Sequence, residues 1–249
     1  MKFLETMDLQ IEMYVIQKWQ FQLRSKNHLP LMLQMKFDEN ILTIQKKYEE
    51  ILLNVCHLSY NEAVIQLIKI FPSLWIEFYK MQSNRLTDIC TISHGSFEFI
   101  YDDTDSLIEK GISLDYTQIA SRIVAVYGKS SPSQIKRDDY RLRGWVGPTN
   151  QIFGEKWDKG HFIAHSIGGA VDKMELNVFK QKRELNRGWS HEGKIYRKME
   201  QYCFRNPGTF CYNRPIYGNQ SDKPSFIEYG LLKHTNELWY HCFNNQTEE

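Results

Sequence analysis

The chain has 249 residues, of which 42% are hydrophobic and 24% charged, and its formal net charge is +1. This balance is typical of globular proteins and excludes a largely disordered chain, and the length suits one large or two modest domains. A net charge near zero gives the molecule as a whole no attraction for nucleic acid or membranes. Any site for a polyanion therefore requires a local cluster of Lys and Arg.

The cysteines carry no sign of a metal site or a disulfide framework. They are odd in number and include no CxxC pair, which disfavours a zinc knuckle, a zinc-dependent structural protein and a complete set of disulfides. We therefore expect buried, reduced thiols, as in a cytosolic protein. The five residues are Cys56, Cys90, Cys203, Cys211 and Cys242.

The sequence also lacks the features of secreted and membrane proteins. Acidic residues interrupt the N-terminus before a continuous apolar stretch forms, and no run of about eighteen uncharged apolar residues occurs. We expect a soluble, cytoplasmic protein with no membrane partner. Delivery into other cells as a toxin, by a dedicated secretion machine, would leave no mark in the sequence.

The first third of the chain has helical periodicity. Apolar residues recur at intervals of three and four, at positions 41, 44, 48, 51, 52 and 55. Ser59 and Glu62 fit a capping box at the start of a second helix. Pro72 is expected to end that helix, with a new one beginning near Ser73. We predict a helical domain over residues 1–92, which is either a simple bundle or a module for regulation, oligomerisation or partner binding.

The remainder of the chain has strand signals. Alternating apolar residues at Phe97, Phe99 and Tyr101 indicate a short strand, and residues 130–133 read as a loop. Three later segments rich in apolar and aromatic residues predict further strands of one sheet, at residues 209–217, 226–232 and 238–243. The second predicted domain is therefore residues 93–249.

Four short motifs in this second part are informative in their order. They are Asp158-Lys159-Gly160-His161, Asn177-Val-Phe-Lys-Gln181, Leu185-Asn186-Arg187-Gly188 and Met199-Glu200. Together they resemble the active-site motifs of the sugar-non-specific DNA/RNA endonucleases, the family of mitochondrial endonuclease G. The spacing from Asn177 through Gln181 to Asn186 matches that family without a gap. The similarity spans roughly residues 140–232.

The resemblance implies a fold and a set of roles. The fold class is α+β, with the N-terminal helical domain followed by a ββα-metal (His-Me finger) nuclease domain that has an antiparallel sheet. His161 would be the general base, Asn186 the direct metal ligand, and Glu200 the residue that orients a metal-bound water. Three further residues would support the site: Asp158, Asn177 and Gln181.

These residue types suit the hydrolysis of a phosphodiester bond. The reaction requires a deprotonated water and neutralisation of charge on the phosphoryl oxygens. An ordinary histidine has a pKa of about 6.5, so a neutral imidazole is available near pH 7 to accept the proton of water. Mg²⁺, or Mn²⁺ in its place, prefers oxygen ligands and retains several waters, so one amide oxygen and one carboxylate suffice to hold it.

Two departures from the family pattern bear on this assignment. Lys159 replaces the usual arginine, which keeps the charge but loses the bidentate fork. Asn186 and Glu200 are fourteen residues apart, which on one continuous helix would separate them by about 21 Å. We predict that residues 188–193, which include two glycines, loop out before a helix over residues 195–202. If the helix is instead continuous, Glu192 replaces Glu200 or the metal assignment fails.

Basic residues are concentrated around the motifs. Between residues 172 and 205 the chain has nine Lys or Arg and five Asp or Glu, an excess that could follow a phosphate backbone. Arg187 and Arg197 are candidates for stabilising charge in the transition state. A solvated charged face is the alternative for any one of them. Earlier basic residues could extend the patch: Lys129, Lys136, Arg137, Arg141 and Arg143.

Several other residues have a structural and a functional interpretation. His165 is expected to flank the site on an extended segment, because nearby glycines disfavour a zinc-binding helix there. His191 is expected to cap or decorate the predicted insertion. Four aromatic residues could stack on bases, although such residues more often belong to a core or a sheet surface: Trp189, Tyr196, Tyr212 and Tyr217.

The sequence thus favours an endonuclease with little base specificity that acts on DNA, with RNA as a second candidate substrate. The appended helical domain suggests regulation by a partner, an inhibitor or self-association, as in a toxin or an antiviral effector. The competing hypothesis is a catalytically silent module on a nuclease-like fold that binds nucleic acid or a protein partner.

Overall fold

The structure is a computed structural model that describes residues 31–83, 85–112, 120–133, 154–169 and 175–247. The chain forms two compact units, Met1–Glu49 and Glu50–Glu249. Helix α1, Leu31–Val55, runs across this division. The division lies within a predicted helix, whereas the predicted domain boundary follows residue 92.

Helix α2, Tyr60–Ser83, begins with the predicted capping box but is longer than predicted. Glu62 accepts hydrogen bonds from the Ser59 amide (3.0 Å) and hydroxyl (2.6 Å). The prediction that Pro72 ends the helix is wrong, because the helix continues through it. Proline inside a helix costs about 3 kcal/mol, and burial of Phe71 and Trp75 on either side offsets this cost.

The second unit is built on a six-stranded antiparallel sheet of order β1-β2-β3-β6-β7-β8. The strands are Ile89–His94, Phe97–Asp102, Arg122–Lys129, Phe210–Ile216, Phe226–Leu232 and Leu238–Asn244. A short helix, α3, covers Thr104–Glu109. The three strands predicted after residue 209 are confirmed. Strand β1 was not predicted, because its alternation of apolar and polar residues lies in a region that also has helical spacing.

Both faces of this sheet are covered, which explains why β3, β6 and β7 are buried along nearly their whole length. Helix α2 packs on one face, where the Trp75 ring lies 4.9 Å from that of Tyr212. A later helix packs on the other face through Tyr196, whose ring lies 5.3 Å from that of Tyr229. These aromatic contacts form two hydrophobic layers around one sheet.

A separate two-stranded sheet contains the first two motifs. Strand β4, Trp157–His161, pairs antiparallel with β5, Val178–Lys182. Short 3-10 turns cover His165–Ile167 and Glu175–Asn177. Two helices follow β5 directly, α4 over Arg183–Arg187 and α5 over His191–Arg205. The α+β class and the strand-strand-helix order are therefore confirmed.

The expectation that the cysteines are buried, reduced thiols is confirmed only in part. All five cysteines are free thiols, but Cys56 and Cys90 are exposed, which corrects the expectation that they are buried. Cys203 and Cys211 are buried as expected. Across the described part of the chain, none of the helices is long and apolar enough to span a membrane.

Candidate active site

The β4–β5 hairpin presents its residues on two faces. Asp158 and Gly160 share the inner face with the buried Phe179 and Gln181, while Lys159 and His161 alternate with them and are half-buried. A Cβ at Gly160 would lie 2.3 Å from the Gln181 amide oxygen, so only glycine fits there. The position of the Gln181 side chain, in the second motif, therefore requires glycine at position 160, in the first motif.

Asn177 braces the chain immediately after His161. Its side-chain amide donates to the Ile163 carbonyl and accepts from the Ile163 amide, both at 2.9 Å, and its own carbonyl accepts from the Phe162 amide at 3.0 Å. Asn177 is fully buried. Buried amide groups that are fully paired hold a backbone in one arrangement. Asn177 therefore fixes the end of β4 against the start of β5.

Asp158 organises the residues of helix α4. Its carboxylate accepts hydrogen bonds from Arg183 Nε (3.1 Å), Arg187 Nε (2.7 Å) and Arg187 Nη2 (3.0 Å). It also accepts one from Asn186 Nδ2 (3.1 Å). Burial alone would raise the pKa of Asp158, but these hydrogen bonds together lower it. The carboxylate is therefore held ionised beside Asn186.

The contact with Asp158 determines which atom of the Asn186 amide is available to bind a cation. An ionised carboxylate accepts hydrogen bonds only, so the nitrogen of the Asn186 amide must face it. The amide oxygen Oδ1 then points to the other side of the side chain. Such an oxygen is a suitable ligand for a hard cation.

The predicted break between Asn186 and Glu200 is confirmed. Gly188 ends α4 in the left-handed region, with φ of 72°, and the Ser190 side chain caps α5 by accepting from the Gly193 amide at 3.0 Å. The break is shorter than predicted, because α5 already begins at His191 and includes Gly193. Asn186 and Glu200 therefore lie on two different helices.

Glu200 is linked to the end of α4 through Arg197. Arg197 Nη1 donates to Glu200 Oε2 at 3.0 Å. A Cβ added to Gly188 would lie 3.1 Å from Arg197 Cγ, so the arginine passes over the last residue of the third motif. Burial raises the pKa of Glu200 above the usual range, although the charge and hydrogen bond of Arg197 oppose this shift.

The two histidines of this region have different surroundings. His161 is half-buried at the end of β4, and its Nε2 atom is shielded from solvent. His165 lies on a 3-10 turn, which corrects the predicted extended segment, and its Nε2 lies 2.9 Å from the Ser133 hydroxyl. This contact agrees with a structural role for His165. Burial lowers the pKa of the neighbouring Lys159.

Several other predicted residues are now placed. Arg187 is bound to Asp158 and lies over the Trp189 ring, 5.0 Å from its centroid. Trp189 is 62% exposed, whereas Tyr196 and Tyr212 are core residues. Lys129 ends β3. Lys136, Arg137, Arg141 and Arg143 lie outside the described residues.

Arg183 is a site residue that sequence reasoning missed. It was counted only as part of a basic segment, yet it binds Asp158 and donates to the Trp157 carbonyl at 3.1 Å. Arg183 and Arg187 are four residues apart, so on a helix they share one face. That spacing is visible in the sequence, but it does not indicate that Asp158 is the partner.

The donor set is compatible with a cation that takes few protein ligands. Among the described residues, no group of three or more His, Cys, Asp and Glu side chains could hold a metal ion. A zinc centre of such ligands is therefore not formed by this part of the chain. The Asn186 oxygen and the Glu200 carboxylate are oxygen donors, which fit Mg²⁺ or Mn²⁺ with water completing the shell.

Comparisons with known proteins give a limited result. No protein-family model matches the chain, and no curated protein matches it in sequence. Among solved structures, Sda1 nuclease with a bound zinc ion has a TM-score of 0.33 and 14% identity, covering 64% of this chain and 74% of that protein. An extracellular endonuclease has a TM-score of 0.31 and 12% identity, covering 66% and 81%. At these values neither similarity assigns a function to this chain.

Proposed function

We propose that this protein is a metal-dependent endonuclease that hydrolyses phosphodiester bonds in nucleic acid. The observation that carries the proposal is the break at Gly188. It places Asn186 and Glu200 on two adjoining helices, with Arg197 of the second helix packed over the end of the first. A single continuous helix would have held these residues about 21 Å apart, and the break removes that obstacle, which supports the proposal.

We assign the general base to Nδ1 of His161. The Nε2 atom is shielded from solvent, which favours the other ring nitrogen as the one that meets a nucleophilic water. That nitrogen accepts the proton of water as its oxygen attacks phosphorus, and the bond to the leaving sugar oxygen breaks. Asn177 holds the backbone that follows His161 and thereby fixes the position of the ring.

The metal would be held by the oxygen of Asn186, with Glu200 orienting a bound water. Bound Mg²⁺ or Mn²⁺ would supply positive charge to the phosphoryl oxygens. Asp158 keeps the Asn186 amide in one orientation, and Arg187 and Arg183 keep Asp158 ionised. Lys159, on the same strand face as His161, is the residue we assign to the phosphate.

We assign supporting roles to Arg187 and Arg197, the two candidates for stabilising charge in the transition state. Arg187 is engaged by Asp158 and Arg197 by Glu200, so each neutralises a carboxylate in this state. None of the assigned groups reads a base edge, and the proposed substrate is therefore DNA, with RNA as a second substrate, without strong sequence preference. We propose a cytoplasmic or delivered effector, a toxin or an antiviral nuclease. Its first 92 residues would serve a regulatory partner, an inhibitor or self-association.

The test compares wild type with His161→Ala on supercoiled plasmid and single-stranded RNA, in Mg²⁺, Mn²⁺ or EDTA. We expect cleavage that requires metal and falls by about 10²- to 10⁴-fold in the variant, the usual range for a general base. His191→Ala is the matched control, because His191 is an exposed histidine at the start of α5. Equal cleavage by wild type and His161→Ala would overturn the assignment. Binding without cleavage under all conditions would identify a silent module.

A further inference from the structure

One face of the β4–β5 hairpin collects lysines beside the proposed base. In the pairing register, Lys159 is opposite Lys180 and Trp157 is opposite Lys182. Because alternate residues share a face, these side chains lie on the same side as His161. The burial pattern agrees, since all three lysines are partly exposed whereas the inner-face residues are buried.

A fourth lysine joins this face from the segment between β6 and β7. The Lys223 Nζ atom lies 4.0 Å from the centroid of the Trp157 ring, and the Lys180 Nζ atom lies 5.0 Å from it. A tryptophan face attracts ammonium groups, so Trp157 orders two positive charges on one surface. We call the following set the lysine face: Trp157, Lys159, Lys180, Lys182 and Lys223.

We infer that the lysine face binds the phosphodiester backbone of a nucleic acid strand and leads it to His161. The inference rests on the proposed function, because it assigns the substrate-binding residues of the same site. The four ammonium groups concentrate positive charge on one surface beside His161, and such a concentration attracts a polyanion. Lys182 also lies 3.6 Å from the largely exposed carboxylate of Glu184, and an exposed pair of this kind contributes little.

The spacing of the lysine face suits a repeating polyanion. Alternate residues of a strand are roughly 6.6 Å apart, so Lys180 and Lys182 lie at this interval along β5, as Lys159 and His161 do along β4. Lysines are point charges that do not read base edges in a fixed geometry. The face would therefore position a backbone and contribute affinity that depends on salt, with no preference among sequences.

The experiment measures binding of a labelled single-stranded oligonucleotide to the His161→Ala protein in EDTA, by fluorescence anisotropy, over a series of salt concentrations. We expect Lys180→Gln and Lys223→Gln each to weaken binding and to lower the slope of log K against log salt by about 0.7. The matched control is Lys233→Gln. Lys233 also lies over a tryptophan ring, 5.4 Å from the centroid of Trp239, but at the β7–β8 turn.

The outcomes separate this inference from the proposed function. Slopes that stay unchanged in Lys180→Gln and Lys223→Gln, with cleavage by wild type intact, would overturn the lysine face and leave the nuclease standing. Reduced slopes in a protein that never cleaves would support the lysine face and remove the nuclease. Equal losses of affinity and of salt slope in Lys233→Gln would indicate a general charge effect and would also overturn the inference.

Discussion

Two aspartates of this protein are each surrounded by arginines, but their surroundings differ in access to solvent. Asp102 is fully buried, with the Arg85 Nε atom at 3.1 Å and an Arg85 side chain that is 1% exposed. The Tyr79 hydroxyl donates to Asp102 at 2.5 Å and accepts from Arg122 Nε at 2.8 Å. Asp158 is nearly as buried, yet its partners Arg183 and Arg187 have side chains 21% and 44% exposed.

The difference shows how one kind of cluster can serve two purposes. Around Asp102 the side chains of Tyr79, Arg85 and Arg122 are all buried, so we expect this cluster to contribute to stability or fold specificity. Around Asp158 one donor is the amide of Asn186, and the arginines reach solvent. We call the Asp158 cluster the open cluster and the Asp102 cluster the closed cluster. The open cluster can orient a side chain that contacts a ligand, and the closed cluster cannot. Substitutions at four places in the molecule test and extend this contrast.

The largest effect is expected on stability at the closed cluster. Asp102→Asn removes the charge that balances Arg85 and Arg122, and breaking such a buried arrangement costs about 3–5 kcal/mol of the free energy of unfolding. Cleavage per folded molecule should remain at the wild-type level. Urea denaturation and an activity assay on the folded fraction measure both. A stable Asp102→Asn protein with impaired cleavage would contradict this expectation, because the closed cluster would then affect activity instead of stability.

At the open cluster we expect the opposite balance. Asp158→Asn places an amide against Asn186, which frees the Asn186 side chain to turn, and loss of such a supporting group typically lowers metal affinity or activity about 10- to 100-fold. The cost in stability should be smaller, about 2 kcal/mol, because the arginines are hydrated. Titration with Mn²⁺ followed by its EPR signal reports affinity independently of cleavage. Arg183→Gln, which removes one clamp without touching Asn186, should retain most of the affinity.

A smaller effect is expected at the turn between the two helices. Gly188→Ala introduces a side chain at a φ of 72°, which costs about 1 kcal/mol, and its Cβ would also meet Arg197. Gly208→Ala has the same backbone cost at a φ of 88° but no neighbour within 4 Å. We expect both variants to lose stability in thermal denaturation, Gly188→Ala at least as much as Gly208→Ala, with reduced cleavage only in Gly188→Ala. Equal cleavage by Gly188→Ala and Gly208→Ala would indicate that Arg197 does not contribute to the site.

The smallest effect is a displacement of the pH profile. Because burial raises the pKa of Glu200, the acid limb of Mn²⁺ binding, which does not depend on the general base His161, should lie at higher pH than an ordinary glutamate would set. Arg197→Gln removes the opposing charge and should move that limb further upward. The stability contribution of this raised pKa is present below the unfolded pKa and is lost as pH rises through the folded pKa. Glu200→Gln, measured in EDTA, should therefore gain stability over wild type as pH rises from 4 to 8.

Much of the fold followed from patterns that local physics controls. The strands after residue 209, the capping box at Ser59 and the turn after Asn186 were all predicted from apolar spacing, side-chain capping or paired glycines. Pro72 was misjudged because long-range packing of its neighbours outweighs a local penalty. Such packing is not visible in a window of a few residues.

For the site, the sequence identified residue types but not the contacts between them. Nothing in the spacing of Arg187 indicates that it binds Asp158, since the two residues are 29 positions apart and strand β5 lies between them. The same holds for Lys223, which reaches Trp157 from a segment outside the motifs. Residues that meet only through tertiary structure escape a reading along the chain, as the contact of Lys223 with Trp157 shows.

The Asn177 brace has a consequence for how this region can vary. Because the brace closes the connection between β4 and β5 at its two ends, the length of the intervening chain does not set the position of His161. Doubling such a connection costs only about 0.6 kcal/mol in closure entropy. Insertions here could thus add a recognition element to the hairpin while its register is preserved, making the connection a natural point for the evolution or engineering of substrate preference.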